Sequence, residues 1–339
     1  MTVLLWFAAF LLDMKLGDPP HWPHPVRWIG QLINQAEQLI RRFCRSETGL
    51  KWGGVLLWLL VVGSTWLASY WVLQLAYSVT FWLGWLVEIW LIYTVLAARS
   101  LSDAANDVYQ ALCQKKQCQK KQCQKKQRQE KQYQGDLDAS REQLAKIVGR
   151  DTSQLQAPQI SRATIETVAE NSVDGVIAPL FFLMLGGAPL AMAYKAINTL
   201  DSMVGYKTPR YRALGMFSAR MDDVANWVPA RLGWILLAMA AKWQGLDFRQ
   251  ALRIGWRDRY QHSSPNSGWP EATVAGALGI RLGGPNVYFN QLVEKPWIGD
   301  ARREVTPDDI SQSVQMMRVA SVMALLLFAL LHSLASVTV

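Results

Sequence analysis

At 339 residues and 51% hydrophobic, with 16 Trp, the chain is far richer in apolar and interfacial residues than a soluble protein of its size needs, which excludes an ordinary water-soluble domain. Its formal charge of +9 is misleading, because residues 113–134, "CQKKQCQKKQCQKKQRQEKQYQ", hold seven Lys and one Arg against one Glu, a net +7. With that repeat set aside the balance is nearly even, so basicity identifies no anionic substrate, and nucleic acid is not expected as a partner.

In chain order, the first apolar stretch is residues 3–12. It has no basic segment before it and no small-residue cleavage site after it, so it reads as a retained helix rather than a signal peptide. "LGDPPHWPHPVRWIG" follows, a rigid extended loop because Pro fixes φ and restricts the residue before it. It holds Asp18 and two histidines, His21 and His24, that suit metal ligation or proton transfer, although a His in such a loop more often caps a turn or hydrogen-bonds a carbonyl. In residues 53–98 the only formal charge is Glu88, and the run is long enough for two spans of about 20 residues each. Arg41, Arg42, Arg45 and Lys51 precede this pair and the basic repeat follows it, so both flanks are expected on the cytoplasmic side.

The repeat itself reads as a solvated, partly helical or disordered expansion, with contact to anionic lipid head groups or nucleic acid as the functional alternative. Its Cys113, Cys118 and Cys123 have neither the spacing nor the neighbouring His of a zinc site, and a cytoplasmic position would keep them reduced. Residues 176–194 form the next apolar run. A full crossing there would leave Lys195, Lys207, Arg210, Arg212 and Arg220 on the outer face. "GGAP" at its centre and Pro179 before it instead favour a re-entrant helical hairpin. Residues 224–243 are an interrupted candidate span and 319–337 a C-terminal one. The expectation is an all-α, polytopic integral membrane protein. Residues 1–98 would form N-terminal membrane helices and 99–150 a cytoplasmic linker, followed by a catalytic membrane-embedded region at 151–318 and a last span at 319–339.

Polar stretches rich in Gly and Pro interrupt the apolar runs and hold the residues suited to chemistry. In "TIETVAENSVDGVIAPLFF", Glu166, Glu170 and Asp174 fall on one helical face one turn apart, with Asn171 beside them. Such a row repels itself unless a cation sits against it. "YKAINTLDSMVGYK" places Lys195, Asn198 and Ser202 on one stripe with Asp201 close by, and Lys207 at its end. "SARMDDVANWVPARL" sets Asp222 and Asp223 before Asn226, between Arg220 and Arg231. "SPNSGWPEATVAGALGIRLGGPNVYF" holds Asn266, Glu271 and Arg281.

Carboxylates at helical spacing with Asn nearby suit Mg²⁺, and adjacent Lys and Arg suit phosphate oxygens. Asp222, Asp223 and Asn226 are the candidate metal ligands. Glu166, Glu170, Asp174, Lys195 and Asp201 are the candidate catalytic residues. Asn171, Asn198, Lys207, Arg220, Arg231, Asn266 and Arg281 are candidates for holding substrate or phosphate. The bland alternative is that these charges pair where helices enter lipid, because an unpaired charge at mid-membrane costs about 2.5 to 3.5 kcal/mol on insertion scales. The chain has no P-loop and no dinucleotide-binding glycine motif.

"GDPPHWPHPVRWIG", "ATIETVAENSVDGVIAPLFF", "GGAPLAMAYKAINTLDSMVGYK", "FSARMDDVANWVPARL" and the segment from "SPNSGWPEA" onward together resemble the adenosylcobinamide-phosphate synthases of cobalamin biosynthesis, bacterial integral membrane proteins. They occur in the family's order, whereas the basic repeat is outside its pattern. The resemblance implies ATP-dependent amide bond formation between adenosylcobyric acid and aminopropanol phosphate, with Mg²⁺ and ATP required and no stably bound cofactor. It also implies a multi-pass protein of the bacterial inner membrane with its active face cytoplasmic, with the lipid bilayer and other membrane enzymes of the nucleotide-loop pathway as partners. Rival readings are a related membrane sensor associated with β-lactamase induction, an intramembrane Mg²⁺-dependent prenyltransferase, whose N-x-x-x-D-x-x-x-D motif is absent, and a transporter, for which no internal repeat is found.

Overall fold

The computed structural model describes residues 2–19, 22–113, 136–288 and 291–337. His21, Cys118, Cys123 and all of the basic repeat beyond Cys113 lie outside the described residues. The chain is almost wholly helical: α1 (Thr2–Leu16), α2 (Pro25–Phe43), α3 (Glu47–Val79), α4 (Phe81–Val95), α5 (Ala98–Cys113), α6 (Leu137–Ala145), α7 (Ala157–Ser172), α8 (Ala178–Val204), α9 (Met216–Ala225), α10 (Trp227–Trp243), α11 (Phe248–Arg257), α12 (Gly268–Leu278) and α13 (Asp308–Val337). Two short antiparallel pairs, Leu282–Gly283 with Trp297–Ile298 and Asn286–Tyr288 with Gln291–Val293, lie between α12 and α13.

The helical runs Glu47–Val79, Phe81–Cys113, Ala157–Val204 and Asp308–Ser336 are long and apolar enough to cross a membrane. The pair α9 and α10, bent by 48°, would make a fifth. Their outer faces carry exposed Leu59, Trp71 and Leu75 on α3, Trp82 and Leu86 on α4, and Leu326, Leu330 and Leu334 on α13. Apolar surface this continuous is stable only against lipid, and the fold is that of a polytopic membrane protein. α1 is about 22 Å long at 1.5 Å per residue, short of a bilayer core of roughly 30 Å. It packs against α4 and α13, with Trp6 against His332 at 4.9 Å between ring centroids.

The expected pair of spans in residues 53–98 is a helical hairpin that turns at Thr80. There the backbone is extended and the hydroxyl accepts the Leu83 N–H, starting α4. Glu88, the one charge of the run, is buried and accepts a hydrogen bond from Tyr77 across the hairpin.

The "GGAP" segment is a second reversal. Gly186 and Gly187 leave helical geometry, Gly187 at φ +68° and ψ −169°, a conformation that only glycine adopts readily. Twelve residues of straight helix would separate Phe182 from Tyr194 by about 18 Å, yet their rings stack with centroids 4.9 Å apart. Asn198 likewise reaches back to Asp174. The chain therefore doubles back as the helical hairpin expected at this point, and the His332 ring nitrogen, 3.3 Å from the Met184 carbonyl, meets one group freed by the break.

Candidate functional site

The reversals gather the polar motifs into one tract along α7, the second limb of α8, α9 and the loop before α12. Its first part is the loop after α1. Gly17 sits at φ +60° and its carbonyl accepts a hydrogen bond from Tyr93, which turns Asp18 inward. Asp18 then accepts from Ser100 at 2.8 Å and lies 3.1 Å from His24 Nε2. Burial works against its charge, but the bonds from His24 and Ser100 prevail and hold the carboxyl below its ordinary value. One turn earlier, Asp13 is fully buried and accepts the Ala98 N–H at 3.1 Å, a carboxylate at the start of α5. Asp18, His24, Arg27, Thr94 and Lys195 line a pocket of about 250 Å³. Lys195 lies within electrostatic reach of Asp18, Asp174 and Asp13, so it joins this loop to the acidic row.

The acidic row begins as a regular helix and then changes pitch. Glu166 and Glu170 stand on α7, but Val173–Ile177 form a π-helical turn in which the Ala178 N–H reaches back to Val173 O. The wider turn ends the 3.6-residue phase at Asp174. Glu166 accordingly pairs with Arg150 at 2.7 Å and accepts the Gly283 N–H at 2.8 Å, and Glu170 accepts from Ser267 at 2.7 Å. Asp174 instead meets Asn198 at 3.4 Å and lies within electrostatic reach of Asp222, Glu170, Asp201 and Lys195. The row expected on one face is divided between two neighbourhoods that remain in electrical contact.

The first neighbourhood is a cavity of about 160 Å³ lined by Arg150, Glu166, Thr167, Glu170, Asn171, His262, Glu271 and Lys295, among others. Asn171 points its nitrogen at Thr167 O of its own helix, 2.9 Å away. His262 Nε2 lies 4.0 Å from Glu271 Oε1. Burial pushes the imidazole below its ordinary value. Burial, reinforced by Glu166 and Glu170, pushes Glu271 well above its own. The imidazole therefore favours its neutral form, and the Glu271 carboxyl holds its proton to higher pH than a free glutamate does. α12, which carries Glu271, is buried throughout. It approaches α11 so closely that a Cβ on Gly276 would meet Gln250 O at 2.4 Å.

In the second neighbourhood, Tyr194 donates to Asn226 Oδ1 at 2.9 Å and Asn226 donates to Asp222 Oδ2 at 3.0 Å. Both ends of the Asn226 amide are thus used within the protein. Asp223 faces the other way, accepting from Ser264 at 3.1 Å, while its carbonyl accepts from Asn266 at 2.7 Å. Asp201 lies within electrostatic reach of Asp223 and Glu170.

The buried Asp222 Oδ1 has no hydrogen-bond partner among the described residues. An orphaned carboxylate oxygen beside Asp174 and Asp201 suits a divalent cation. Among the described residues no three His, Cys, Asp or Glu side chains converge as a protein-only metal cage. A cation at Asp222 would therefore need waters or substrate oxygens to complete its coordination, as Mg²⁺ commonly does.

The remaining candidates are more scattered. Lys207 is exposed near Asp223, and Arg220 is exposed on α9. Arg231 donates to Asn266 Oδ1 at 3.3 Å and lies over Trp227 and Trp269. Arg281 lies over Trp297 at 3.9 Å, outside the cavity lining. Arg150, His262 and Lys295 were not among the candidates read from the sequence, and no periodic signal marks them. His262 alone had a hint, standing two residues before "SPNSGWPEA".

Residues 6–317 match the CobD/Cbib protein family. The chain belongs to that family. It is 64% identical over 334 residues to the "Cobalamin biosynthesis protein CobD" of Photorhabdus laumondii, covering 98% of each chain. It is 65% identical to the protein of the same name from Yersinia enterocolitica, covering 98% of this chain and 99% of the relative. Against the "Cobalamin biosynthesis protein CbiB" of Salmonella typhimurium it is 58% identical over 327 residues, 96% of each. No solved structure matches it. Membership in the CobD/Cbib family agrees with the resemblance carried by the polar motifs, and those motifs are the segments that build the tract.

Proposed function

We propose that this protein is the amide-forming ligase of cobalamin biosynthesis, joining the carboxyl of adenosylcobyric acid to the amine of aminopropanol phosphate at the expense of ATP. The observation that carries the reading is the cavity at α7 and α12, where the acidic Glu166 and Glu170 and the basic Arg150 and Lys295 line one space with His262 and Glu271. A small molecule bearing both an ammonium and a phosphate matches that division of charge, and about 160 Å³ suits its size better than a corrinoid's. Family membership and the names of the relatives favour a biosynthetic enzyme over a membrane sensor.

A carboxylate is a poor acylating agent, so ATP converts it to an acyl phosphate or an equivalent species. The amine then attacks the activated carbonyl carbon, the C–N bond forms and phosphate leaves. The ammonium must first lose a proton. Glu170, on α7 and lining the cavity, binds the ammonium, and His262 accepts the proton as the base. Arg150 and Lys295 hold the phosphate of the amine substrate, with Asn171 at the rim. Asp222, with Asp174 and Asp201, would hold Mg²⁺, which neutralises charge on ATP phosphates when bound. Lys195 and Asn198 keep Asp174 in place between the two neighbourhoods, and Lys207 and Arg220 offer cations at the open, cytoplasmic side. Purified protein in nanodiscs, given adenosylcobyric acid, aminopropanol phosphate and ATP, should form adenosylcobinamide phosphate. No product under these conditions from stable protein sinks the reading.

A further inference from the structure

Beside the acidic tract, α10, α11 and α12 build a second feature that the amide-forming chemistry leaves unused. Trp234, Trp256 and Trp269 contact one another at 5.2 to 5.8 Å between ring centroids. Two guanidinium groups lie on this aromatic floor. Arg231 is 4.1 Å from the Trp227 ring and 5.1 Å from Trp269, while Arg259 is 4.0 Å from Trp256, 4.4 Å from Tyr260 and 5.6 Å from Trp269. Both cations share Trp269 and lie within electrostatic reach of each other.

Their polar contacts leave much of each fork open. Arg231 Nη1 donates to Trp227 O at 2.5 Å and to Asn266 Oδ1 at 3.3 Å, and Arg259 Nη1 donates to Trp256 O. Among the described residues, Nε and Nη2 of either arginine donate to nothing, and no carboxylate lies within ion-pair distance of either. Trp227, Trp256 and Tyr260 are 55%, 55% and 67% exposed, so the platform is open to an arriving group. Two like charges held together without an acid repel, whereas an anion between them would reverse the sign of the interaction and use the free N–H edges in bidentate fashion.

We propose that Arg231 and Arg259, seated on Trp227, Trp256, Tyr260 and Trp269, form a cradle for a phosphate group. The aromatic rings fix both forks, so little side-chain freedom is lost on binding. The phosphate belongs either to a soluble phosphoryl substrate or to the head group of an anionic phospholipid. The hydrogen bond from Arg231 to Asn266, which in turn donates to the Asp223 carbonyl, connects the cradle to the acidic tract. The inference rests on the reading above only for the soluble source, and its test reads binding without turnover.

Protein in phosphatidylcholine nanodiscs is titrated with inorganic pyrophosphate by calorimetry, and protein from mixed phosphatidylglycerol and phosphatidylcholine micelles is weighed by native mass spectrometry for retained anionic lipid. Arg231→Gln and Arg259→Gln should each weaken whichever probe binds by tenfold or more, and together abolish it. Arg253→Ala, on the exposed side of α11, should change neither. Pyrophosphate binding that depends on the pair assigns the cradle to a soluble phosphate. Retained phosphatidylglycerol that depends on the pair, with no pyrophosphate binding, assigns it to a lipid. If the double variant does not remain monodisperse, Arg259→Lys, which keeps the charge and loses the planar fork, should still weaken binding several-fold. Binding of both probes unchanged in the variants, or absent in the parent, overturns the proposal, whatever the ligase assay shows.

Discussion

The two helical hairpins solve the same problem in opposite ways. The α3–α4 hairpin contains one acid, Glu88, and closes it off within the hairpin through Tyr77. The α7–α8 hairpin contains Glu166, Glu170, Asp174 and Asp201; Asn198 of its own second limb meets Asp174, but Glu166 and Glu170 take their partners from elsewhere, Arg150, the Gly283 amide and Ser267, and Asp174 also lies within reach of Asp222. A buried acid satisfied by its own hairpin contributes to stability. A row that needs distant segments, and leaves the Asp222 oxygen open, is poised for ligands.

The sharpest way to break this contrast is to remove one charge from each hairpin. Glu170→Gln keeps shape and the Ser267 contact, so the protein should fold, while turnover should fall by about two orders of magnitude, the scale of a lost electrostatic or acid–base group. Tyr77→Phe should do the reverse. It leaves Glu88 buried without its donor, at a cost of about 1 to 3 kcal/mol in stability, and specific activity should stay near the parent's. Measuring both quantities on purified variants decides it. Normal specific activity for Glu170→Gln would make the α7 row a structural ion network like any other.

The two turns offer a smaller test. Gly187 occupies a backbone region nearly reserved for glycine, so Gly187→Ala should lower unfolding stability by about 1 to 3 kcal/mol. Thr80→Ala removes only a helix cap, worth about 1 kcal/mol. Thermal unfolding in one detergent compares them. An equal or smaller loss at Gly187 would mean that the second hairpin tolerates a different turn.

What was legible in the sequence divides along the same line. The α3–α4 hairpin shows in residues 53–98 because bilayer thickness imposes its length on composition, and "GGAP" shows its turn because glycine and proline act locally. The spacing of Glu166 and Glu170 is a local signal as well. The π turn that detaches Asp174 from them is not, since nothing in "NSVDGV" announces an extra residue in the turn. Arg150, His262 and Lys295 enter the cavity through contacts far apart in the chain, and a single sequence carries no record of which distant segment meets which face. Asn226 was read as a metal ligand from its spacing behind Asp222. The structure adds what the spacing does not announce, a hydrogen bond from the Asn226 amide to Asp222 and one from Tyr194 to its oxygen.

The smallest predicted effect distinguishes residues within the cavity itself. Glu271 is held well above its ordinary 4.5, first by burial and then by Glu166 and Glu170, so the folded protein keeps a proton that the unfolded chain releases above that pH. Its contribution to stability is therefore fully present below pH 4.5 and is lost as pH rises through the folded value. His262 runs the other way. Burial holds it below 6.5, the unfolded chain takes up the proton first, and stability is lost as pH falls below 6.5. Gln at position 271 imitates the protonated acid and cannot lose a proton. The stability of Glu271→Gln relative to the parent should accordingly improve as pH rises above 4.5, measured by thermal unfolding, whereas His262→Gln should gain on the parent as pH falls below 6.5. A Glu271→Gln variant that loses ground as pH rises would mean that the carboxylate is ionised and paired in the folded state, and Glu271 would then belong with Glu166 and Glu170 among the charged groups facing the substrate amine.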